Sequence, residues 1–252
     1  MDTITNFRDL GGLKNKAGRT LQAKKLLRSG ELSHVSEQEQ ESLLTDYQLQ
    51  TVIDLRSQEE VTTHPDLMIS GTTYLHIDIF EKIQSQGTSL SEFTSVSEPI
   101  RMRAYMNEIY QTMAVDSSAQ NGFAKMIEQV LNVQANKSVL FHCFAGKDRT
   151  GVSAVLLLEM LQMPKEVIYT DYLETNKLRI KENSELIQQA KAQGASEELT
   201  DSLKIALTVE SEFLDSYYQA VTENFGDMQN YLQTALHISP KTQQELQKQL
   251  LF

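Results

Sequence analysis

The stretch that decides the fold is VLFHCFAGKDRTGVSAVLLLEML, residues 139–161, which contains the only cysteine of the 252-residue chain. An apolar run leads into His142 and Cys143, five further residues follow, and Arg149 and Thr150 open a second apolar run. The first run has the length of a strand and the second that of a helix. The pattern therefore predicts a buried strand, a tight loop and a helix, with the cysteine at the end of the strand.

The loop between Cys143 and Arg149 has the properties that phosphate binding requires. Five residues wrapped in an arc let successive backbone N–H groups point inward, and the helix that begins near Thr150 adds its positive N-terminal end. Gly146 permits a backbone conformation that a Cβ atom would resist. Arg149 offers a planar fork that matches two phosphoryl oxygens. The residues predicted to bind phosphate are Phe144, Ala145, Gly146, Lys147 and Thr150.

Cys143 is predicted to be a nucleophile. The positive field of the loop favours its thiolate form, and a thiolate can attack phosphorus to form a phosphocysteine intermediate. Thr150 is expected to donate a hydrogen bond to the sulfur as it leaves, and His142 to fix the loop through a hydrogen bond. The alternative is a cysteine that is merely buried at the end of a core strand, which would need none of these neighbours.

The composition limits the class of protein. With 40% hydrophobic and 23% charged residues, the chain has the composition of a soluble globular protein, and we predict a single domain over residues 1–252. The formal charge of −11 disfavours nucleic acid as a partner, because backbone binding needs a basic face. Any phosphate site must therefore be a local positive pocket in a negative surface.

The sequence shows neither a signal peptide nor a transmembrane segment. Met1 is not followed by basic and apolar signal regions, and no apolar run approaches the roughly 18 residues of a membrane span. One cysteine allows no intramolecular disulfide. We therefore expect a cytoplasmic protein, with secretion as the alternative if a signal peptide has been removed.

Three short segments have the character of strands. The run TVIDL (51–55) is β-branched and apolar, TYLHIDIF (73–80) alternates, and SVLFH (138–142) precedes the cysteine. Helical patterns lie between them, one of which opens with Ser36 and Glu39 in capping-box spacing. Short strands separated by helices predict an α/β domain with a central sheet.

Residues 150–252 are predicted to be largely helical. Residues 81–120 differ from the rest of the sequence in composition and are a predicted lid insertion. The segment 81–120 is first polar and turn-rich and then carries an apolar stripe at helical spacing. Such a stripe is typical of a core-facing helix. The alternative is a mobile helical lid over the site, since long insertions are often lids and methionine suits adaptable surfaces. The stripe consists of Met102, Tyr105, Met106, Ile109 and Met113.

The segment HCFAGKDRTG resembles the signature loop of the protein tyrosine phosphatase superfamily, His-Cys-five residues-Arg-Ser/Thr. It is similar in particular to a bacterial tyrosine phosphatase-like group with dual specificity toward phosphoproteins and phosphoinositides. The resemblance implies a phosphatase fold with a mainly parallel sheet flanked by helices, a helical lid, no metal and no cofactor. Other segments similar to that group are NFRDLGGL (6–13), LLRSGELSHVSEQ (26–38), TVIDLRSQEEV (51–61), DYLETN (171–176) and FGDMQNYLQTALHISP (225–240).

The loop differs from related lipid phosphatases at one position. Phosphatases of the tumour-suppressor type have lysine both directly after the cysteine and four residues after it. Here Phe144 holds the first place and Lys147 the second. Lys147 is therefore expected to supply the extra positive charge that a multiply phosphorylated headgroup needs.

The general acid has three candidates. Myotubularin and Sac-type lipid phosphatases resemble this chain in having an aspartate just before the loop arginine, which makes Asp148 the first candidate. Asp78 and Asp54, near the ends of predicted strands, are the alternatives. Asp54 has a second reading as the partner of a nearby arginine, for example Arg56, and Asp148 as a carboxylate that orients Arg149.

Other basic residues leave more than one role open. Arg8, Arg28 and Arg56 lie in the family-like segments at predicted strand ends, and each either braces the loop or contacts substrate. The remaining histidines show no metal-ligand spacing, so we expect no metal site. These histidines are His34, His64, His76 and His237.

Residues and resemblance together predict a metal-independent phosphatase. Its expected substrates are phosphotyrosine, with phosphoserine and phosphothreonine as further candidates, and phosphoinositides; phosphate or another oxyanion should bind in the loop. A catalytically silent phosphate-binding module would require loss of the cysteine, the arginine or the acid, and all three are present. A rhodanese-like sulfurtransferase also has a cysteine loop after a strand, but the tight spacing from Cys143 to Arg149 favours phosphate.

Overall fold

A mainly parallel sheet forms the centre of the molecule. The computed structural model describes residues 1, 3–81 and 90–252, and within them five strands form a sheet in the order β1-β2-β5-β3-β4. Every neighbouring pair is parallel except β1 with β2. The predicted α/β class with a central, mainly parallel sheet is confirmed. The strands are β1 (Arg8–Asp9), β2 (Leu26–Ser29), β3 (Leu49–Asp54), β4 (Thr73–His76) and β5 (Ser138–His142).

The middle strand, β5, is buried on both faces. Val139 and Phe141 belong to one apolar core, whereas Leu140 joins Leu27 and Val52 in a second core on the opposite face of the sheet. This division follows from the two-residue period of a strand. A parallel strand covered on both faces has a continuous apolar sequence, which explains the run before the cysteine.

Helices cover both faces of the sheet, and α6 to α12 occupy most of the chain after β5. None of the described helices is long and apolar enough to cross a membrane. The described helices are α1 (Glu37–Thr45), α2 (Gln58–Thr63), α3 (Leu90–Ser95), α4 (Pro99–Val115), α5 (Ser117–Leu131), α6 (Arg149–Met160), α7 (Lys165–Leu178), α8 (Ile180–Ala192), α9 (Glu197–Leu207), α10 (Ser211–Phe225), α11 (Met228–Thr234) and α12 (Pro240–Leu250).

Capping residues set several helix boundaries. At the start of α1, the Ser36 side chain accepts a hydrogen bond from the Glu39 N–H, and the Glu39 carboxylate accepts one from the Ser36 N–H. Ser57 and Glu60 form the same capping box at the start of α2. Helix α10 ends at Gly226, whose φ of 85° suits glycine. The box at α2 also places Glu60 beside the cysteine loop.

The strand predicted at residues 73–80 is shorter than expected. It ends at His76, after which the Asp78 carboxylate accepts hydrogen bonds from the N–H groups of Phe80 (2.8 Å) and Gln58 (3.2 Å). These bonds offer the backbone an alternative to the sheet ladder. The chain therefore leaves the sheet at a turn that the aspartate stabilises.

The predicted insertion at 81–120 is described only in part, because residues 82–89 lie outside the described residues. In the part that is described, α4 packs against α9 and α10. Tyr105 of the stripe is only partly buried. The packing is that of a core-facing helix, the first of the two alternatives. The stripe residues buried in the main core are Met102, Met106, Ile109 and Met113.

Candidate active site

The carboxyl ends of three parallel strands meet where the cysteine loop begins. Ser29 at the end of β2 and Asp54 at the end of β3 both pair in register with His142, the last residue of β5. Cys143 follows directly and is only 2% exposed. Open parallel sheets bind ligands at this edge, so the position of the loop in the fold also favours a site here.

The carbonyl groups of the loop are bound from outside the loop. The Phe144 oxygen accepts a hydrogen bond from the Glu31 N–H (3.0 Å). The Gly146 oxygen accepts one from Asn6 Nδ2 (2.7 Å) and another from Arg28 Nη2 (3.0 Å). Carbonyl groups that turn outward leave the N–H groups of the same peptides to turn inward, as an anion nest requires.

Arg179 and Asn6 complete the set of donors that bind the loop carbonyl groups from outside. Arg179, between α7 and α8, donates from Nη1 to the Ala145 oxygen (3.1 Å), to which Asn6 Nδ2 also donates (3.3 Å). Among the described residues, no acceptor binds the N–H groups of residues 144–147. The backbone of the loop is therefore held through its carbonyl groups, and its amides remain available to a ligand.

Gly146 is required by the close approach of the loop to β2. Its φ is +67°, and a Cβ atom at this position would collide with the Ser29 carbonyl group and the Gly30 nitrogen. Any other residue would suffer both backbone strain and a steric clash. The glycine predicted to shape the loop therefore has a specific packing reason.

Arg149 is held by Glu60, the third residue of α2. Its Nη1 and Nη2 donate to Glu60 Oε2 (2.5 Å) and Oε1 (2.7 Å) in a bidentate pair. Burial raises the pKa of Glu60, but Arg149 outweighs this effect and lowers the pKa to about 2. In the described part of the chain, the buried Arg149 Nε has no hydrogen-bond acceptor. The edge of the guanidinium that carries Nε is thus free to bind phosphoryl oxygens.

His142 is fully buried beside two carboxylates. Burial lowers its pKa, but the carboxylates of Asp54 and Asp66 outweigh burial and raise the pKa to about 9. Nε2 lies 3.0 Å from Asp66 Oδ2, and Nδ1 lies 3.3 Å from the Cys143 carbonyl oxygen. A ring with a proton on Nδ1 donates this bond to the cysteine backbone, and the expected role of His142 in fixing the loop stays a prediction.

Arg56 balances the two carboxylates beside His142. It donates to Asp54 Oδ2 (2.7 Å), and its Nη2 lies 2.9 Å from Asp66 Oδ1. Asp54, Asp66 and His142 each bring one ligand atom within 4.8 Å of the others, a spacing suited to a metal ion. Because a guanidinium already binds both carboxylates, these residues fit a buried ion-pair network better than a cation site.

Two of the three candidate acids have other roles. Burial raises the pKa of Asp54, but His142 and Arg56 outweigh burial and hold this pKa well below its usual range. A carboxylate that stays ionised has no proton to give. Asp78 accepts the two backbone N–H bonds that end β4. The geometry therefore leaves Asp148 as the candidate acid.

Asp148 is turned away from the helix that it precedes. It occupies the N-cap of α6 but makes no capping hydrogen bond. Its Oδ1 accepts a bond from the Tyr110 hydroxyl (2.8 Å), and its Oδ2 lies 3.3 Å from Lys147 Nζ. The alternative role of orienting Arg149 is filled by Glu60.

Lys147 joins the loop to the C-terminal end of α9. Its Nζ donates to the carbonyl oxygens of Ala206 and Thr208, the latter at 3.3 Å, and lies 5.7 Å from the centre of the Phe93 ring on α3. Burial lowers the pKa of this lysine. The sequence predicted a phosphate contact at this position and gave no indication of the contact with α9.

Phe144 and Thr150 are the remaining predicted loop residues. Phe144 is half-buried and packs edge-on against His64, with 5.4 Å between ring centres. The Thr150 hydroxyl is buried and has no hydrogen-bond partner among the described residues. Its expected bond to the cysteine sulfur stays a prediction.

The three arginines of the family-like segments brace the loop. Asp171 on α7 accepts from Arg8 Nε (2.7 Å) and Arg28 Nη1 (2.6 Å), and Arg28 also holds the Gly146 oxygen. Arg56 binds Asp54 and Asp66, the carboxylates beside His142. Of the two roles left open for them, the structure shows bracing.

Sequence reasoning missed several residues of this site. Glu60 had a signal, because it is the third helical residue after Ser57 in a Ser-x-x-Glu capping box. Asp171 also had one, as the first residue of the family-like segment DYLETN. Nothing in the sequence marked the others, since their roles depend on contacts between distant elements. The missed residues are Glu60, Asp66, Tyr110, Asp171 and Arg179.

A cysteine-x5-arginine-threonine loop at the carboxyl edge of a parallel sheet defines a class, the cysteine-loop phosphatases. The chain belongs to the tyrosine phosphatase family, whose model matches residues 1–252. It is 31% identical over 237 residues to a protein of Cupriavidus necator provisionally named tyrosine-protein phosphatase, covering 94% of this chain and 83% of that one. It is 29% identical over 263 residues to a triple specificity protein phosphatase of Mycobacterium tuberculosis, covering 91% of each. The chain is accordingly a phosphatase, a hydrolase of phosphoric monoesters.

Proposed function

We propose that this phosphatase hydrolyses phosphotyrosine through a phosphocysteine intermediate. The observation that carries the proposal is the loop itself, in which external donors bind every carbonyl group from Phe144 to Gly146. Three phosphoryl oxygens would then accept hydrogen bonds from the loop amides and from the Nε edge of Arg149. In that position the phosphorus would face the sulfur of Cys143.

The chemistry takes two steps. The Cys143 thiolate attacks phosphorus, the S–P bond forms, the P–O bond to the leaving group breaks, and the leaving oxygen takes a proton from Asp148. A water molecule then attacks phosphorus and gives a proton to the Asp148 carboxylate. The S–P bond breaks, Thr150 donates a hydrogen bond to the departing sulfur, and inorganic phosphate leaves.

The depth of the nucleophile favours an aryl phosphate. Because Cys143 is 2% exposed, the phosphorus must reach the floor of the site, which the long phosphotyrosine side chain does more easily than phosphoserine or phosphothreonine. The name of the mycobacterial relative supports a wider range of substrates, and the two shorter residues remain candidates.

Phosphoinositides are further candidate substrates. A second phosphate on the headgroup would compete for Lys147 with the carbonyl oxygens of Ala206 and Thr208, which bind it in this structure. Hydrolysis of such a lipid therefore requires Lys147 to exchange these oxygens for phosphate. Lys147→Met should slow the hydrolysis of a phosphoinositide more than that of a phosphotyrosine peptide.

The test is phosphate release, in EDTA, from a phosphotyrosine peptide, a phosphothreonine peptide and several phosphoinositides. Release by the wild-type protein that Cys143→Ser abolishes would support a metal-independent cysteine mechanism, and the order of rates would rank the substrates. Release that survives Cys143→Ser would contradict the mechanism. No release from any substrate would favour a silent phosphate-binding module.

A further inference from the structure

Three buried groups form a chain of hydrogen bonds from α7 to the cysteine loop. The Tyr172 hydroxyl on α7 donates to the Tyr110 hydroxyl on α4 (2.7 Å), which donates to Asp148 Oδ1 (2.8 Å). Both tyrosines are fully buried and Asp148 is 4% exposed. These hydrogen bonds therefore join three separate elements through side chains that are almost entirely buried.

Chemistry fixes the direction of these bonds. Tyr110 has one hydroxyl proton, which it donates in the hydrogen bond to Asp148 Oδ1, so its oxygen can only accept the bond from Tyr172. Burial raises the pKa of both tyrosines well above its usual value, which keeps both hydroxyls protonated. Tyr172 therefore fixes the rotation of the Tyr110 hydroxyl, and Tyr110 fixes the carboxyl group.

The position of Asp148 makes this contact unusual. An aspartate at the N-cap of a helix normally accepts a hydrogen bond from an N–H group of the first turn. Asp148 forgoes that bond at the start of α6 and turns to Tyr110. With Oδ1 bound, the other oxygen, Oδ2, is the one that can carry a proton, and it faces the Lys147 side of the loop.

We propose that Tyr110, held by Tyr172, is a positioning residue that sets the orientation in which Asp148 protonates the leaving group. The inference rests on the proposed role of Asp148 as the general acid. It also links the reaction to α4, because the tyrosine lies on that helix, within the predicted insertion. A change in the packing of α4 would then change proton transfer without any contact between α4 and the phosphate.

Leaving groups of different basicity separate this role from a structural one. We would compare kcat/KM for phenyl phosphate, whose leaving group needs a proton, with 4-nitrophenyl phosphate, whose leaving group hardly does. Tyr110→Phe should reduce kcat/KM about tenfold or more for phenyl phosphate, as expected for losing one hydrogen bond to a charged group. The reduction for 4-nitrophenyl phosphate should stay within about twofold, since that step depends little on the acid.

The matched control is Tyr217→Phe. Tyr217 is also fully buried and hydrogen-bonds the hydroxyl of another tyrosine, Tyr231, at 3.3 Å, but on α10 and α11, outside the loop. Tyr217→Phe should lose about as much stability as Tyr110→Phe. It should leave the ratio of kcat/KM for phenyl phosphate to kcat/KM for 4-nitrophenyl phosphate unchanged. Equal slowing of both substrates by Tyr110→Phe would overturn the proposal.

A double variant tests whether the tyrosine acts through the aspartate. Asp148→Asn alone should reduce kcat/KM for phenyl phosphate about 10²-fold or more. Like Tyr110→Phe, it should affect 4-nitrophenyl phosphate much less. Adding Tyr110→Phe to Asp148→Asn should cause little further loss of kcat/KM. Substitutions of two residues that act through the same hydrogen bond do not have additive effects. Multiplicative losses would show that Tyr110 acts independently of Asp148 and would overturn the proposal.

A measurement without turnover separates this inference from the proposed function. In the Cys143→Ser protein, the hydroxyl proton of Tyr110 should be protected from exchange and visible by NMR, and Asp148→Asn should shift it. An unaffected signal would show that the contact is absent and would refute the positioning role. If NMR showed the contact but the wild-type protein had no Cys143-dependent hydrolysis, the proposed function would be contradicted. The role of Tyr110 in proton transfer would then be contradicted as well.

Discussion

The loop arginine depends on one carboxylate that lies 89 residues away in the chain. Glu60 binds the end of the Arg149 guanidinium and so decides which edge the arginine presents to the loop. Glu60 also accepts a hydrogen bond from the Ser57 N–H (2.8 Å) as part of its capping box. One side chain thus starts α2 and orients the loop arginine.

Glu60→Gln separates these two functions. Glutamine can still accept the Ser57 N–H bond in a capping box, but it carries no charge and pairs with the guanidinium less well. We expect α2 to remain folded and kcat/KM for a phosphotyrosine peptide to fall about 10- to 100-fold, the effect of misplacing a catalytic group by about 1 Å. Steady-state kinetics and far-UV circular dichroism would measure both.

The neighbouring Glu59→Gln is the control. Glu59 is exposed on the same turn of α2 and has the same charge, so its removal should leave kcat/KM within about twofold of wild type. If both variants lost the same activity, the loss would come from the charge of α2 rather than from the hold on Arg149.

At the scale of elements, the ends of β3 and β5 contain a buried charge network. His142 is raised to a pKa of about 9 by Asp54 and Asp66, above the value of about 6.5 for an unfolded histidine. Its protonation therefore stabilises the fold fully below about pH 6.5, and this contribution is lost as the pH rises through about 9. This difference between the two pKa values corresponds to a contribution on the order of 3 kcal/mol.

His142→Gln should remove this pH dependence. The free energy of unfolding of the wild type, measured in urea between pH 6 and 10, should exceed that of the variant most below pH 6.5. The difference should shrink toward pH 10. His34→Gln, at an exposed histidine, should give a curve parallel to the wild type. A wild-type minus His142→Gln difference that stayed constant with pH would show that the pKa of the ring is the same in the folded and unfolded protein.

The elements also show how far the sequence determines the fold. The strand before the cysteine, the helix after it and the capping box at Ser36 depend on local signals, and the structure confirms all three. The strand at 73–80 was predicted too long, because alternation alone does not reveal that Asp78 would bind two backbone N–H groups. Local patterns therefore give the elements but not always their ends.

The site divides in the same way. Cys143, Arg149 and Gly146 are recognisable from spacing, because the loop must contain them in a fixed order. Glu60 and Tyr110 reach the loop from α2 and α4, and no spacing in the sequence relates them to it. Lys147 shows the opposite case, since its spacing suggested phosphate while its contacts in the structure are with the end of α9. The supporting contacts require the tertiary structure.

The whole molecule combines a formal charge of −11 with a site that must attract phosphate. Three basic side chains near the cysteine, Arg149, Lys147 and Arg179, are all buried. Glu60 pairs with Arg149 and Asp148 lies beside Lys147, so these opposite charges partly cancel outside the site, where the net negative charge of the molecule dominates. A phosphopeptide should first meet a repulsive surface if it is acidic and an attractive one if it is basic.

Two peptides with the same phosphotyrosine, one with acidic and one with basic flanking residues, would test this. At 10 mM salt, where charges interact over about 30 Å, kcat/KM for the basic peptide should exceed that for the acidic one by about tenfold. At 150 mM salt, where the range falls to about 8 Å, the ratio should approach unity. Phenyl phosphate, measured at both salt concentrations, corrects for effects of salt on the loop itself. Faster hydrolysis of the acidic peptide at low salt would mean that the positive field of the loop extends beyond the mouth of the site and outweighs the negative surface.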